Sequence, residues 1–226
     1  MAVPLHIPPG YQQRRPTPLV VNLHGLGESA GEQEALSGMS AKADEAGIIV
    51  VYPVSLGQPA TWSVGPGQRG AEDVGFIRDL VRQLEDGYSV DRTRVYATGI
   101  SNGGGMVNRL GCEMSDTFAA IAPVAGAYLF WQDCHPARPV PVVAFHGTAD
   151  QIVPYGGQGR ALPPLREWAA GWAERNGCGA TPRESFRQGA VSAETWEGLS
   201  GRCRGRPVHG PGWGTRLAGC EAEPRA

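Results

Sequence analysis

The chain has 226 residues, 41% of them hydrophobic and 19% charged, with a formal net charge of −2; this is enough for one sizeable core and too short for two comfortable domains. With a pI near 6.2 there is no electrostatic footprint for nucleic acid or for a membrane surface, and a small neutral or weakly charged molecule is the expected substrate. No apolar run approaches the roughly 20 residues of a membrane span, and Met1 to Gly10 lack the basic and long apolar regions of a signal peptide.

In chain order, Leu19-Val20-Val21-Asn22-Leu23 and Ile48-Ile49-Val50-Val51-Tyr52 read as buried strands, with Glu32 to Ala46 between them at helical spacing. That is a β-α-β unit. Glu72 to Leu84 carries Val74, Ile77, Leu80, Val81 and Leu84 at helical spacing, and Arg94 to Thr98 follows as a strand. A helix is expected from Asn102 to Cys112. Ala119 to Val124 and Pro141 to Phe145 supply two more strands, and Leu165 to Arg175, with Trp168 and Trp172, supplies a further helix. The apolar stripes on these helices, Met106 and Leu110 included, read as core rather than as cofactor contacts. Repeated β-α-β order predicts an α/β fold, a mostly parallel sheet with helices on both faces and active groups at the carboxyl ends of its strands.

Between the strand ending at Thr98 and the following helix lies Gly99-Ile100-Ser101-Asn102-Gly103. A strand turning sharply into a helix strains the residue at the corner, and small residues two before and two after it let the neighbouring chain pass. This is the setting of a nucleophile elbow, with Ser101 exposed at the end of the sheet. After the first strand, His24-Gly25-Leu26-Gly27 forms a turn able to aim a backbone N–H into the site; the Leu26 and Asn102 amides then make an oxyanion hole, and His24 itself is structural. After Phe145, the turn His146-Gly147-Thr148-Ala149-Asp150 presents Asp150 beyond a strand end. Trp62, Trp131 and Tyr155 stand in or near such loops, where packing competes with lining an acyl or aryl pocket. No metal site is expected, because Cys134-His135 stands alone and no C-x-x-C or zinc-spaced His pair exists.

These segments, with Ala122-Pro123-Val124-Ala125-Gly126 and the run from Phe145 to Tyr155, resemble the polyhydroxybutyrate depolymerase and feruloyl esterase group of α/β-hydrolases. The likeness spans about Leu5 to Gly198. It implies a serine esterase without cofactor, in which Ser101 is acylated by an ester carbonyl and Asp150 orients a histidine base. It also implies a small or polymeric ester as substrate, and a secreted or periplasmic location. Members of the group open with an export signal and a first strand, so Leu5-His6-Ile7-Pro8 reads as a start partway in.

The histidine breaks the pattern. Chain order in this fold is Ser, Asp, His, and the only histidine after Asp150 is His209. The group's closing pattern, Leu-Tyr-Thr followed by Gly-Gly-Gly-His-x-Trp-Pro-Gly, does not occur here. Read one base later, however, codons for Thr215 to Cys220 can spell His-Ala-Trp-Pro-Gly, those for Pro211 to Gly214 can supply Gly-Gly-Gly, and those for Pro207 to His209 can supply Leu-Tyr-Thr. Accordingly, residues 1–198 are read as the catalytic domain lacking its last strand, and 199–226 as an irregular, out-of-frame tail. Cys112 and Cys134 flank an apolar strand region as a candidate disulfide pair, leaving Cys178, Cys203 and Cys220 as an odd set; in the alternate frame Leu199-Ser200 can encode a cysteine. Two rivals stand beside the esterase reading: a catalytically impaired, hydrolase-like binding module, and acyl transfer to an acceptor other than water.

Overall fold

In the computed structural model, the described residues are 3–65, 72–129, 132, 134–159 and 161–198, together with the backbone of Thr215–Arg216. His209, Trp131, Cys203 and Cys220 lie outside them, as does the expected tail apart from those two residues. The centre is a sheet of order β1-β3-β2-β4-β5. Its strands β2 (Thr17–Leu23), β3 (Ile49–Val51), β4 (Val90–Ile100) and β5 (Ala120–Val124) run parallel, and β1 (Leu5–His6) closes one edge antiparallel. The expected α/β architecture is therefore present. On the far edge, β6 (Val143–Ala144) continues the sheet through parallel bridges from Ile121 to Val142 and from Val124 to Phe145.

Register decides where the strands end. Leu23 stands opposite Gly99, and Ile100 opposite Val124, so the carboxyl ends of β2, β4 and β5 meet at one level. The connecting helices are α1 (Ala30–Ser37), α2 (Met39–Ala46), α3 (Asp73–Gly87), α4 (Asn102–Glu113) and α5 (Leu165–Arg175).

Two expectations are corrected. The single helix from Glu32 to Ala46 is two helices, because Gly38 sits at φ 56 and donates its N–H to Glu34 O, a left-handed cap that ends α1. A capping box between Ser29 and Glu32 starts α1 earlier than its apolar spacing does. Only Val143–Ala144 of the expected strand from Pro141 to Phe145 is regular ladder; proline has no N–H to contribute.

Sequence reading passed over β1 and a hairpin of β7 (Arg183–Gln188) and β8 (Val191–Thr195), whose turn holds Gly189 at φ 58. Gly189-Ala190 between two short runs was the available signal; the charged, exposed residues of β7 hid it. Among the described residues no parallel strand follows β6. Thr215–Arg216 instead forms a two-residue strand, β9, antiparallel to β6.

The sheet is covered unequally. Leu19, Val21, Leu23, Val51, Val95 and Ala97 face one large core with α3, α4 and α5, in which Trp62, Trp168, Trp172 and Trp196 are fully buried. On the opposite face Val20, Val50 and Tyr52 pack with Ala30 and Ala43 of α1 and α2. There, a cavity of about 570 Å³ is bordered by Val20, Tyr96, Ile100, Ala122, Val124 and Phe145. Cys112 and Cys134 are joined, with Cα atoms 5.0 Å apart, which fastens the end of α4 to the segment ahead of β6. Cys178 bridges Gly198 in antiparallel fashion at the end of the described chain.

Candidate active site

Ser101 sits at the corner between β4 and α4 with φ 54 and ψ −116, a backbone conformation that side-chain-bearing residues rarely adopt. Such strain persists only where the surroundings over-determine it. Here the Ser101 N–H donates to Val124 O at 2.9 Å, and its carbonyl accepts from Gly105 N at 2.9 Å and Ala127 N at 3.0 Å. The flanking glycines leave no alternative. A Cβ at Gly99 would lie 2.7 Å from Leu23 O, one at Gly103 2.4 Å from the carbonyls of Leu23 and His24, and one at Gly104 2.8 Å from Gly126 Cα.

The turn after β2 lies beside the elbow. His24 is fully buried; its Nε2 accepts from Ser55 N at 3.1 Å, so Nδ1 carries the proton and donates to Gly25 O at 2.6 Å. Both nitrogens are thereby committed. The amides around it are sorted as clearly: Gly25 N–H donates to Glu28 Oε2 at 2.8 Å and Gly27 N–H to Ala60 O at 2.7 Å. Among the described residues, no hydrogen bond uses the amides of Leu26 or Asn102. The Asn102 amide belongs to the first residue of α4, where helix N–H groups have no intrahelical acceptor.

The loop that carries Trp62 joins these two pieces, through contacts the sequence reading did not foresee. The Asn102 side chain accepts from Trp62 N at 2.8 Å and donates to Trp62 O at 3.1 Å, and the Trp62 indole donates to His24 O at 3.1 Å. Trp62 is therefore packing, not pocket lining. Asp73, buried at the start of α3, accepts from Ser63 N at 2.8 Å and fixes the same loop. Burial raises its carboxyl above the usual range, against the opposing pull of the Ser63 hydrogen bonds and of Arg109. Nothing in the local motif marks Asp73 or Trp62, because each acts across tertiary distance.

Asp150 stands in the turn after β6. Oδ1 accepts from Ile152 N at 2.8 Å and Val153 N at 3.0 Å, while Oδ2 lies 3.7 Å from His146 Nε2. That nitrogen is 2.7 Å from Val153 O, and the His146 ring meets Tyr155 edge-on at 6.0 Å. The turn is tied to the elbow side through Ala125 N–H donating to Phe145 O at 2.8 Å. Ser101, Leu26, Asn102 and Asp150 thus all follow strands at one end of the sheet. Among the described residues, no hydrogen bond joins a histidine to Ser101. His209 lies outside them.

Comparison with known proteins gives three findings. Residues 1–153 match the family model described as esterase PHB depolymerase. The chain is 34% identical over 192 residues to feruloyl esterase B of Piromyces equi, covering 79% of this chain and 36% of that protein, and 38% identical over 162 residues to the putative esterase NocK of Nocardia uniformis subsp. tsuyamanensis, covering 68% and 46%. It therefore spans between about a third and a half of these relatives' length. In fold it is similar to an acetyl xylan esterase from Aspergillus awamori, with a TM-score of 0.62 at 18% identity over 79% of this chain and 76% of that one.

Proposed function

The chain belongs to the esterase PHB depolymerase family, and from that membership we propose that it hydrolyses carboxylic esters through an acyl-serine on Ser101. The observation that carries the reading is the elbow: a serine held at φ 54 where the carboxyl ends of β2 and β4 meet, with the amides of Leu26 and Asn102, in the turns that follow those strands, used by no described group.

In the reaction, Ser101 Oγ attacks the ester carbonyl as a base removes its proton. The Leu26 and Asn102 amides receive the negative charge that develops on the carbonyl oxygen. The carbonyl–oxygen bond to the alcohol then breaks, and the alcohol leaves with the proton from the base. Water adds to the acyl-serine in a second, symmetrical step and releases the acid. Asp150 orients the base. No cofactor is invoked. The Cys112–Cys134 bond supports an oxidising compartment and hence export.

The candidate base in the sequence is His209. The alternate reading frame after Gly198 offers another, a histidine codon spanning Thr215 and Arg216. The backbone of Thr215 stands opposite Ala144, two residues before His146 at the start of the acid turn, which supports delivery of a base from that position. Coding DNA that spells Gly-Gly-Gly-His-x-Trp-Pro in this frame establishes the shift, and any other spelling removes it.

Purified protein is assayed with a p-nitrophenyl short-chain ester and, separately, treated with an organophosphonate. Turnover together with a phosphonate adduct mapped to Ser101 supports the esterase. Retained ligand binding without turnover or adduct supports the binding module, which the altered tail favours.

A further inference from the structure

Behind the acid turn lie two buried polar atoms whose hydrogen-bonding needs complement each other. The first is on His146. Its Nε2 faces the Val153 carbonyl at 2.7 Å, and a carbonyl only accepts, so Nε2 carries the ring proton and Nδ1 is left as an acceptor. Nδ1 is buried and has no partner among the described residues. The second is the hydroxyl of Tyr128, likewise buried and likewise without a partner among them. Leaving either group unsatisfied is costly in a dry interior.

The two residues line one cavity of about 10 Å³, shared with Gly126, Val153, Pro154 and Leu165. A single water needs a space of about that size. Tyr128 has little freedom to look elsewhere. Its ring stacks on Trp168 at 3.8 Å with planes 9° apart, and it lies so close to Gly126 that a Cβ there would be 2.4 Å from the ring. Burial pushes the hydroxyl well above the usual phenol range, so it keeps its proton; the Gly126 backbone N–H that opposes this faces the oxygen without completing a hydrogen bond, and being a donor it cannot accept the hydroxyl proton. Tyr128 also follows Ala127, whose N–H donates to Ser101 O at 3.0 Å.

We propose that the Tyr128 hydroxyl donates a hydrogen bond to the one water this cavity admits, that this water donates to His146 Nδ1, and that the chain Tyr128–water–His146–Val153 positions the Asp150 turn against the elbow. His146 is then a positioning residue, fixed in the tautomer that the Val153 carbonyl needs. The Val153 amide in turn holds Asp150 Oδ1. The role in positioning rests on reading Asp150 as the acid of the esterase site; the hydrogen-bonded chain itself does not.

Tyr128→Phe keeps the ring and its stack and removes only the donor. In the wild type, nitrogen-15 spectra of the His146 ring are expected to show a protonated Nε2 and a hydrogen-bonded, unprotonated Nδ1. In Tyr128→Phe the Nδ1 resonance moves to that of an unbonded nitrogen. Exchange of the Ile152 and Val153 amides, which donate to Asp150, quickens by about tenfold, the scale of one lost hydrogen bond, while Val21 in β2 is unchanged. A proton on Nδ1 in the wild type, or a Tyr128→Phe protein with both readouts unmoved, overturns the proposal. If the ring signature holds but Asp150→Asn leaves ester turnover intact, the acid assignment falls and the role in positioning falls with it, while the hydrogen-bonded chain stands.

Discussion

The turn that carries Ser101 is walled by backbone, whereas the turn that carries Asp150 is tied by side chains. Around Ser101, Gly99, Gly103 and Gly104 press against the carbonyls of Leu23, His24 and Val124, and no atom of the wall can rotate out of the way. Around Asp150, the fixing groups are the His146 ring, the Asp150 carboxylate and the amides it caps. The first construction tolerates no change of shape and depends little on chemistry. The second tolerates change of shape and depends on each donor and acceptor.

Four substitutions probe that contrast, from the largest effect to the smallest. Ser101→Ala fits the elbow without strain beyond that already present, so the fold is kept and ester turnover falls by about a millionfold, as for loss of a triad nucleophile. Substantial remaining turnover would place the nucleophile elsewhere. Asp150→Asn keeps the size of the side chain but favours the wrong tautomer of the base, and kcat should drop by about ten-thousandfold; a near-wild-type rate would remove Asp150 from the site. Gly103→Ala adds one methyl 2.4 Å from two carbonyl oxygens. A loss of about 3 kcal/mol is expected, seen as a Tm lower by roughly 6–12 °C, and an unchanged Tm would mean that the backbone wall yields. Asn102→Ala removes the clasp on the Trp62 backbone but keeps the Asn102 amide. Stability should fall by about 1–2 kcal/mol in denaturant titration, with the elbow still reactive toward a phosphonate. A loss of phosphonate labelling would show that side chains also hold the elbow.

The same contrast explains what was legible in the sequence. Steric constraint by backbone leaves a local mark, glycines at fixed offsets from a serine, and the elbow could be read from Gly99 to Gly103 without the fold. The parallel order of the strands was likewise legible, because the strands and helices of the core carry their own periodicity. Gly38 broke a predicted helix because a left-handed cap is a matter of one residue inside an otherwise continuous pattern. The clasp between Asn102 and Trp62, the Asp73 carboxylate on Ser63, and the pairing of Tyr128 with His146 were not legible. Each joins residues 10 to 40 positions apart by a side chain that is ordinary in its local context. The hairpin of β7 and β8 escaped for another reason: β7 is almost wholly exposed and β8 buries only Ala193 and Thr195, so neither strand carries an apolar alternation to read.

The covalent link between Cys112 and Cys134 closes a loop across 22 positions that contains the whole of β5. Since β5 pairs with β4 on one side and bridges to Phe145 on the other, this loop holds the one strand that connects the two turns. In the unfolded chain the same loop is already closed, which by the chain-entropy account favours the native state by about 3 kcal/mol. A reductant therefore acts on endurance before it acts on chemistry. The half-life of the protein at elevated temperature, rather than its initial rate in the cold, is the quantity that reports the redox history of a preparation.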